Sequence, residues 1–412
     1  MSDDTFDAFV KAYNNFDYRP LEGESMQKFY VDDFTKDTTN SIVKTVKISE
    51  RFKKILIIGH RGCGKSTILN KVAEDLQNEY HIVSFSVTEE LNIMDVEAID
   101  ILMVIYLQLI NSIKSNEIHG VKDNNDWKEQ VLKPFEKLIS QNLKIKEAEG
   151  AISLLKIVSF KIKVEPESRD AIRKGFKKQL QRLQQNISDA CKEISKLKKK
   201  DMLVIIDDLD KLQDEEACDK IFFKETHLLS KLESKIIFTF PLFAYYSPAF
   251  RLISDQFDNK FIQLVNLYDI DENIKESSMT ILKKLVLKRI DPKHVSDEAM
   301  QYLIDKSGGL LRDLILFMQN ACKIVIDKEA SVINDEIVQK VIHDKINEYN
   351  RIFNFPGYKD KVKQIIQDKN KEGTKNDDVI YLLRYLFVME YGSAGEKSWY
   401  DAHPCLKACL EG

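Results

Sequence analysis

A chain of 412 residues is longer than one ordinary domain and calls for two or three packed units. Its 43% hydrophobic and 31% charged residues are those of a soluble globular protein, and a net charge of -4 excludes overall affinity for nucleic acid, so any basic surface must be local. The acidic N-terminus lacks a signal pattern, and the densest apolar run, Ala98 to Ile113, is broken by Asp100, Gln108 and Asn111. A cytoplasmic chain without a membrane span is expected, with no membrane partner. The six cysteines form no CxxC pair, and reduced structural thiols are expected.

In chain order, the first organised signal is Lys54 to Ile58, a β-branched run that predicts a buried strand. It stops at Gly59, and beyond Ser66 the residues Ile68, Leu69, Val72 and Leu76 share a helical face. Between strand and helix, Gly59-His60-Arg61-Gly62-Cys63-Gly64-Lys65-Ser66 fits G-x-x-x-x-G-K-[ST] at every fixed position, followed by Thr67. Phosphate oxygens must be wrapped by backbone N–H groups, which side chains would obstruct, and a helix N-terminus must face the charge. Lys65 would set a cation near the β- and γ-phosphates, and the Ser66 hydroxyl would join a Mg²⁺ shell. ATP or a related nucleotide, with Mg²⁺, is the ligand this pattern calls for.

From Leu91 to Lys200 the chain is too long for a simple crossover and must hold an insertion. Ile99 to Ile113 is apolar enough for a buried helix. Lys156 to Lys200 carries 14 Lys or Arg against 5 Asp or Glu, either a nucleic-acid surface or the wet face of a long helix marked by Ile172, Phe176, Leu180, Leu183 and Ile187. Aromatic interleaving is thin, with Phe160 and Phe176 alone.

Leu203 to Ile206 is a continuous apolar run ending in Asp207-Asp208-Leu209-Asp210, as a central parallel strand with carboxylates at its C-terminal end would be. Asp207 is the candidate for holding Mg²⁺ and Asp208 for orienting or deprotonating the attacking water, provided the chain is already turning there. Asp210 with Lys211 is expected to form a local ion pair. Farther on, Ser296 should cap a helix, Gly308-Gly309 should end it, and Leu311, Leu314, Ile315, Met318 and Cys322 mark the next. Pro356-Gly357 marks a linker, and Asp377 to Leu386 reads as a helix before two strands around Gly392-Ser393-Ala394-Gly395. His403 reads as a packing residue.

The pair GHRGCGKST and LVIIDDLDKL resembles the P-loop ATPases of the AAA+ class, especially the replication-initiator (origin-recognition) clade, and the related STAND-type ATPases. KIIFTFP, Lys235 to Pro241, looks like the next core strand of that family, with Thr239 at its sensor-1 place. Ser307 to Asp313 resembles its sensor-2 signature, with Arg312 at a helix start, where a cation is disfavoured unless an anion or acid such as Asp313 is near. The resemblance implies a trans-acting arginine, for which Arg251 and then Arg289 are candidates. It also places Arg19, Pro20 and Tyr30 beside the adenine.

The fold so implied is α/β, a parallel P-loop NTPase sheet flanked by helices, with a helical lid and a small C-terminal winged-helix-like domain. Its parts are an N-terminal arm (1–50), the ATPase domain (51–267, with a helical basic insertion near 114–200), the lid (268–348) and the terminal domain (349–412). The implied activity is an ATPase, slow because Asp208 stands where many relatives carry Glu. It would be a self-associating homo-oligomeric switch or motor regulating a protein partner, with antiviral defence in a prokaryote one setting. The alternatives are a DNA-binding initiator or loader and a kinase-like phosphotransferase. From Asn350 onward 10 Lys or Arg meet 9 Asp or Glu, and the expected recognition helix opens on Asp377-Asp378, which sits badly against phosphates.

Overall fold

The computed structural model describes residues 1–49, 52–114, 127–143, 166–212, 214–353, 357–369, 377–392 and 398–411. Phe160, Pro356, Ser393-Ala394-Gly395 and the start of the basic run lie outside them. Two compact units divide the chain: residues 1–40, 59–71 and 261–412 form one, and residues 41–58 and 72–260 the other. The principal helices, in chain order, are α1 (Asp3–Asn15), α2 (Lys65–Leu76), α3 (Ala98–Lys114), α4 (Pro166–Lys177), α5 (Leu180–Lys198) and α6 (Glu276–Leu287). They continue as α7 (Asp297–Lys306), α8 (Leu311–Asp327), α9 (Asp335–Ile352), α10 (Tyr358–Asp368), α11 (Asp377–Arg384) and α12 (Pro404–Glu411).

Unit 72–260 with 41–58 is built on a sheet of β1 (Lys54–Ile58), β2 (Tyr80–Ser86), β3 (Asp201–Asp207), β4 (Lys235–Phe240) and β5 (Asp258–Phe261), in the order β2-β3-β4-β1-β5. The β1–β4, β3–β4 and β2–β3 ladders are all parallel, so these four strands end at one edge of the sheet. β1 is buried at every position, and β3 from Met202 to Ile206, which is why both read as continuous apolar runs instead of alternating ones. The P-loop NTPase fold expected from the motifs is the one found. Helix α3 packs against β2 and α5, and α5 against β3. Among the described residues no helix is long and apolar enough to cross a membrane.

In the inserted region Lys174, Lys177, Lys178, Arg182, Lys192, Lys196 and Lys199 are exposed in and beside α4 and α5, as the wet face of a long helix would be, and two cations depart from that expectation. Arg169 and Arg173, two of the cations in the basic run, are 2% and 5% exposed and do not form a wet or nucleic-acid-facing surface. Arg173 Nε donates to both oxygens of the fully buried Asp100, at 3.1 Å each, and its Nη1 donates to Asp95 Oδ1 at 3.0 Å; Arg169 pairs with Asp95 as well. Single cations of such a run can thus be internal when acids from the preceding loop and helix meet them.

The other unit begins with α1, capped by Ser2, whose buried Phe9 and Ala12 belong to the face that meets α8. Ser296 caps α7 by accepting the Ala299 N–H at 3.2 Å. Gly308 and Gly309 follow at φ 59° and 79°, and a Cβ at Gly309 would lie 1.9 Å from the Val265 carbonyl oxygen, so no other residue fits there. After α9 come α10 and α11, then β6 (Val388–Tyr391) and β7 (Trp399–Ala402) as an antiparallel hairpin, and α12 packing on α9. None of the six cysteines is in a disulfide; five are buried and Cys409 is half-exposed.

Candidate functional site

The glycine loop leaves β1 at Gly59 and enters α2 at Lys65. Gly62 and Gly64 take φ 87° and 100°, conformations that L side chains adopt only with strain. Gly59 has another reason to be glycine: a Cβ there would lie 2.4 Å from the Ile262 carbonyl oxygen. Lys65 is 5% exposed, and its Nζ donates to the loop's own carbonyls, Gly59 O at 2.9 Å and His60 O at 2.7 Å. Cys63 N–H also reaches His60 O at 3.3 Å, and Ile68 N–H begins the helical ladder at Gly64 O, 3.0 Å away. Arg61 and Ser66 are half-buried.

Arg312 meets this loop directly. Its backbone N–H donates to Gly62 O at 3.1 Å, and a Cβ on Gly62 would come within 2.8 Å of the Arg312 Cβ. The acid after it points elsewhere: Asp313 Oδ2 lies 3.0 Å from His403 Nε2, so the neighbour that could have claimed Arg312 is paired with the terminal unit. His403, read as a packing residue, is fully buried and hydrogen-bonded as well.

The N-terminal arm reaches the first turns of α2 through a residue that the sequence did not single out. Leu21 N–H donates to Thr67 Oγ1 at 3.1 Å, and Leu21 O accepts from Asn70 Nδ2 at 2.9 Å. Arg19 is exposed and paired with Asp17, to which its Nε donates at 2.6 Å, while Tyr30 Oη lies 2.7 Å from Thr35 Oγ1. Backbone contacts carry no composition signal, and this one was invisible in the sequence.

The acidic strand end belongs to the sheet unit. Asp207 is the last residue of β3, and Asp208 turns the chain at φ 68°, a strained region for a residue with a Cβ, helped by Asp207 Oδ1 accepting the Asp208 N–H at 2.7 Å. Asp208 is 8% exposed; its Oδ2 accepts from Ser86 Oγ at 2.6 Å and Thr88 Oγ1 at 2.7 Å, and its Oδ1 pairs with Lys211 at 2.7 Å. Burial alone would raise this carboxyl, but Lys211 and the two hydroxyls hold it below the usual range. The ion pair expected of Lys211 is therefore made with Asp208 and not with Asp210, because the left-handed turn swings Asp208 towards it.

Asp207, Asp208 and Asp210 bring one oxygen each to within 4.8 Å of one another, a donor set of hard oxygens that fits Mg²⁺. Asp210 N–H lies 3.4 Å from Oγ1 of the fully buried Thr239 on β4, the strand next to β3. Ser86 and Thr88 were missed; their signal was available as hydroxyls at the end of β2, where Ser86 stands in register with Asp207.

Arg251 is exposed in a short 3-10 turn, Pro248–Leu252. Arg289, the second candidate for a trans-acting cation, is 5% exposed, donates to Leu285 O at 2.8 Å and lies 4.9 Å over the Phe29 ring. A guanidinium so enclosed does not reach another subunit.

Residues 35–240, half of the chain, match the family described as the KAP family P-loop domain. The chain belongs to the KAP P-loop family. Nucleotide binding is what that fold implies. Among solved structures, this KAP-family chain is similar to a Walker-type ATPase of Pyrococcus abyssi at 15% identity and TM-score 0.48, covering 97% of this chain and 100% of that one. It is also similar to the Drosophila ORC bound to DNA (10%, TM-score 0.45, covering 100% and 94%) and to the Aeropyrum pernix ORC1 protein in complex with DNA (11%, TM-score 0.41, covering 92% of each). No curated protein matches the KAP-family chain in sequence.

Proposed function

We propose that the chain binds ATP with Mg²⁺ at Gly59 to Ser66, hydrolyses it slowly, and serves as a self-associating switch that acts on a protein partner. The observation that carries this is the loop itself, in which two left-handed glycines and a buried Lys65 amine surround the start of α2. In this reading the backbone N–H groups of Gly62 to Ser66 take phosphate oxygens, and Lys65 exchanges two carbonyls for the β- and γ-phosphates. The roles of Ser66 and Asp207 are to hold Mg²⁺, which when bound neutralises charge on those phosphates. Asp208 aligns water, Thr239 relays the state of the acidic turn through Asp210, and Arg312 answers the γ-phosphate from the start of α8. Arg251, exposed, serves a neighbouring copy in trans. Arg19 and Tyr30 flank the base from the arm.

A protein partner is favoured over nucleic acid because Arg169 and Arg173 are consumed by Asp95 and Asp100, and α11 opens on two acids. Neither the loop nor the acidic turn speaks for a defence pathway. Nucleotide binding by Lys65→Ala and hydrolysis by Asp208→Asn test it. Undiminished ATP binding by the first protein would remove the site assignment. DNA-stimulated turnover with a steep salt dependence would move the reading to an initiator or loader.

A further inference from the structure

One residue of the glycine loop is bound from both ends. His60 O accepts Lys65 Nζ at 2.7 Å, while the ring of the same residue leaves the loop and its Nε2 accepts the backbone N–H of Glu390, in strand β6 of the terminal hairpin, at 2.8 Å. The hairpin has two strands, so an N–H pointing away from β7 has no third strand to receive it, and His60 takes that place. The ring is 4% exposed. With Nε2 accepting, the proton sits on Nδ1, which has no hydrogen-bond partner. Burial, then the Lys65 charge, pushes the imidazole down to about 3, which keeps it neutral and able to accept. A buried ring with an unpaired N–H is costly, and here the cost is borne to hold one particular backbone amide.

A second link runs parallel to the first. Arg312 N–H holds Gly62 O at 3.1 Å, and the adjacent Asp313 lies 3.0 Å from His403 Nε2, at the exit of β7. Gly308 adds contact at the same place: Tyr391 Oη donates to its carbonyl at 2.9 Å. Loop, start of α8 and terminal hairpin are thus joined at two points, all within one unit.

We infer that His60 is a positioning residue that couples the phosphate loop to the terminal hairpin, so that nucleotide and the His60–Glu390 bond oppose each other. The inference rests on the loop being the ATP site. Phosphate must draw Lys65 away from Gly59 O and His60 O. Losing the amine leaves the His60 carbonyl with the longer Cys63 N–H bond at 3.3 Å, so the His60 peptide is less restrained and can reorient, and its ring then no longer meets the Glu390 N–H. By linkage, a bond that nucleotide weakens must weaken nucleotide binding by the same factor.

Amide hydrogen exchange of Glu390 and ATP binding, measured on the full chain, test this. Without nucleotide, His60→Ala should speed Glu390 exchange while His60→Asn, which keeps an acceptor, restores part of the protection; unchanged exchange in His60→Ala overturns the latch. With saturating Mg·ATP the wild-type Glu390 amide should exchange faster, and His60→Ala should bind ATP about tenfold more tightly. Lys65-dependent ATP binding with no change at Glu390, or weaker binding by His60→Ala at unchanged Tm, overturns the coupling. Absence of any ATP binding overturns the functional reading and the coupling with it, leaving the nucleotide-free comparison to judge the latch by itself.

Discussion

His403 Nε2 lies 3.0 Å from Asp313 Oδ2, and both side chains are buried. His403 Nδ1 accepts the Cys405 N–H at 3.2 Å, which fixes the tautomer and leaves Nε2 to donate to the carboxylate. Burial opposes the charge on Asp313, and the His403 bond outweighs it, holding the carboxyl below its ordinary value. Its contribution to stability is therefore complete above the ordinary carboxylate pKa and is lost as pH falls through the lower folded one. Replacing His403 by Ala leaves an uncompensated buried carboxylate, and urea unfolding at neutral pH should show a loss of about 3 kcal/mol.

His60 titrates in the opposite chemical sense with the same direction in pH. Its folded pKa of about 3 lies below the unfolded value near 6.5, so the folded chain is at full stability above that value and loses it as pH falls, by up to about 1.4 kcal/mol per unit. His81, pushed down to about 4 by burial, adds to the same limb. Thermal melts between pH 7 and pH 5 should show this slope, and His60→Asn should flatten part of it.

Asp208 is held ionised by Lys211, Ser86 and Thr88. Removing both hydroxyls, in Ser86→Ala with Thr88→Val, should raise its pKa and carry the acid limb of the turnover profile to higher pH. Asp208→Asn should lose about a hundredfold in turnover while ATP affinity stays within a few-fold. A steady-state profile with unmoved acid limb would place the catalytic carboxylate elsewhere.

Asp100 is fully buried beneath Arg173. Asp100→Ala should cost about 3 kcal/mol in urea unfolding, because Arg173 loses its fully buried partner and keeps only the half-exposed Asp95 and the exposed Asp170.

Arg251→Ala tests the subunit boundary. ATP affinity should persist and turnover fall, and mixing it with Asp208→Asn protein should restore turnover in part, since each copy would supply what the other lacks.

The strand-loop-helix around Gly59, the apolar β3 with its acidic end, the Ser296 cap and the Gly308-Gly309 stop were legible because each depends on residues close in sequence. What stayed hidden depends on partners far along the chain. Nothing near Lys235 says that β4 pairs with both β1 and β3, and nothing near Arg173 says that Asp95 and Asp100 await it. The pairing of Lys211 went astray by two residues, since the left-handed turn at Asp208 is a backbone choice that an aspartate does not announce. The Glu390 amide bound by His60 is a main-chain group, identical in kind at nearly every position.

Of the six thiols, Cys409 alone reaches the surface in part, on a helix that closes the terminal hairpin unit. Burial raises this thiol, so a maleimide dye should attach slowly at neutral pH and faster in mild alkali. The unaltered chain thus carries its own single-colour fluorescent reporter position for motion of that unit, with no cysteine to remove and none to introduce.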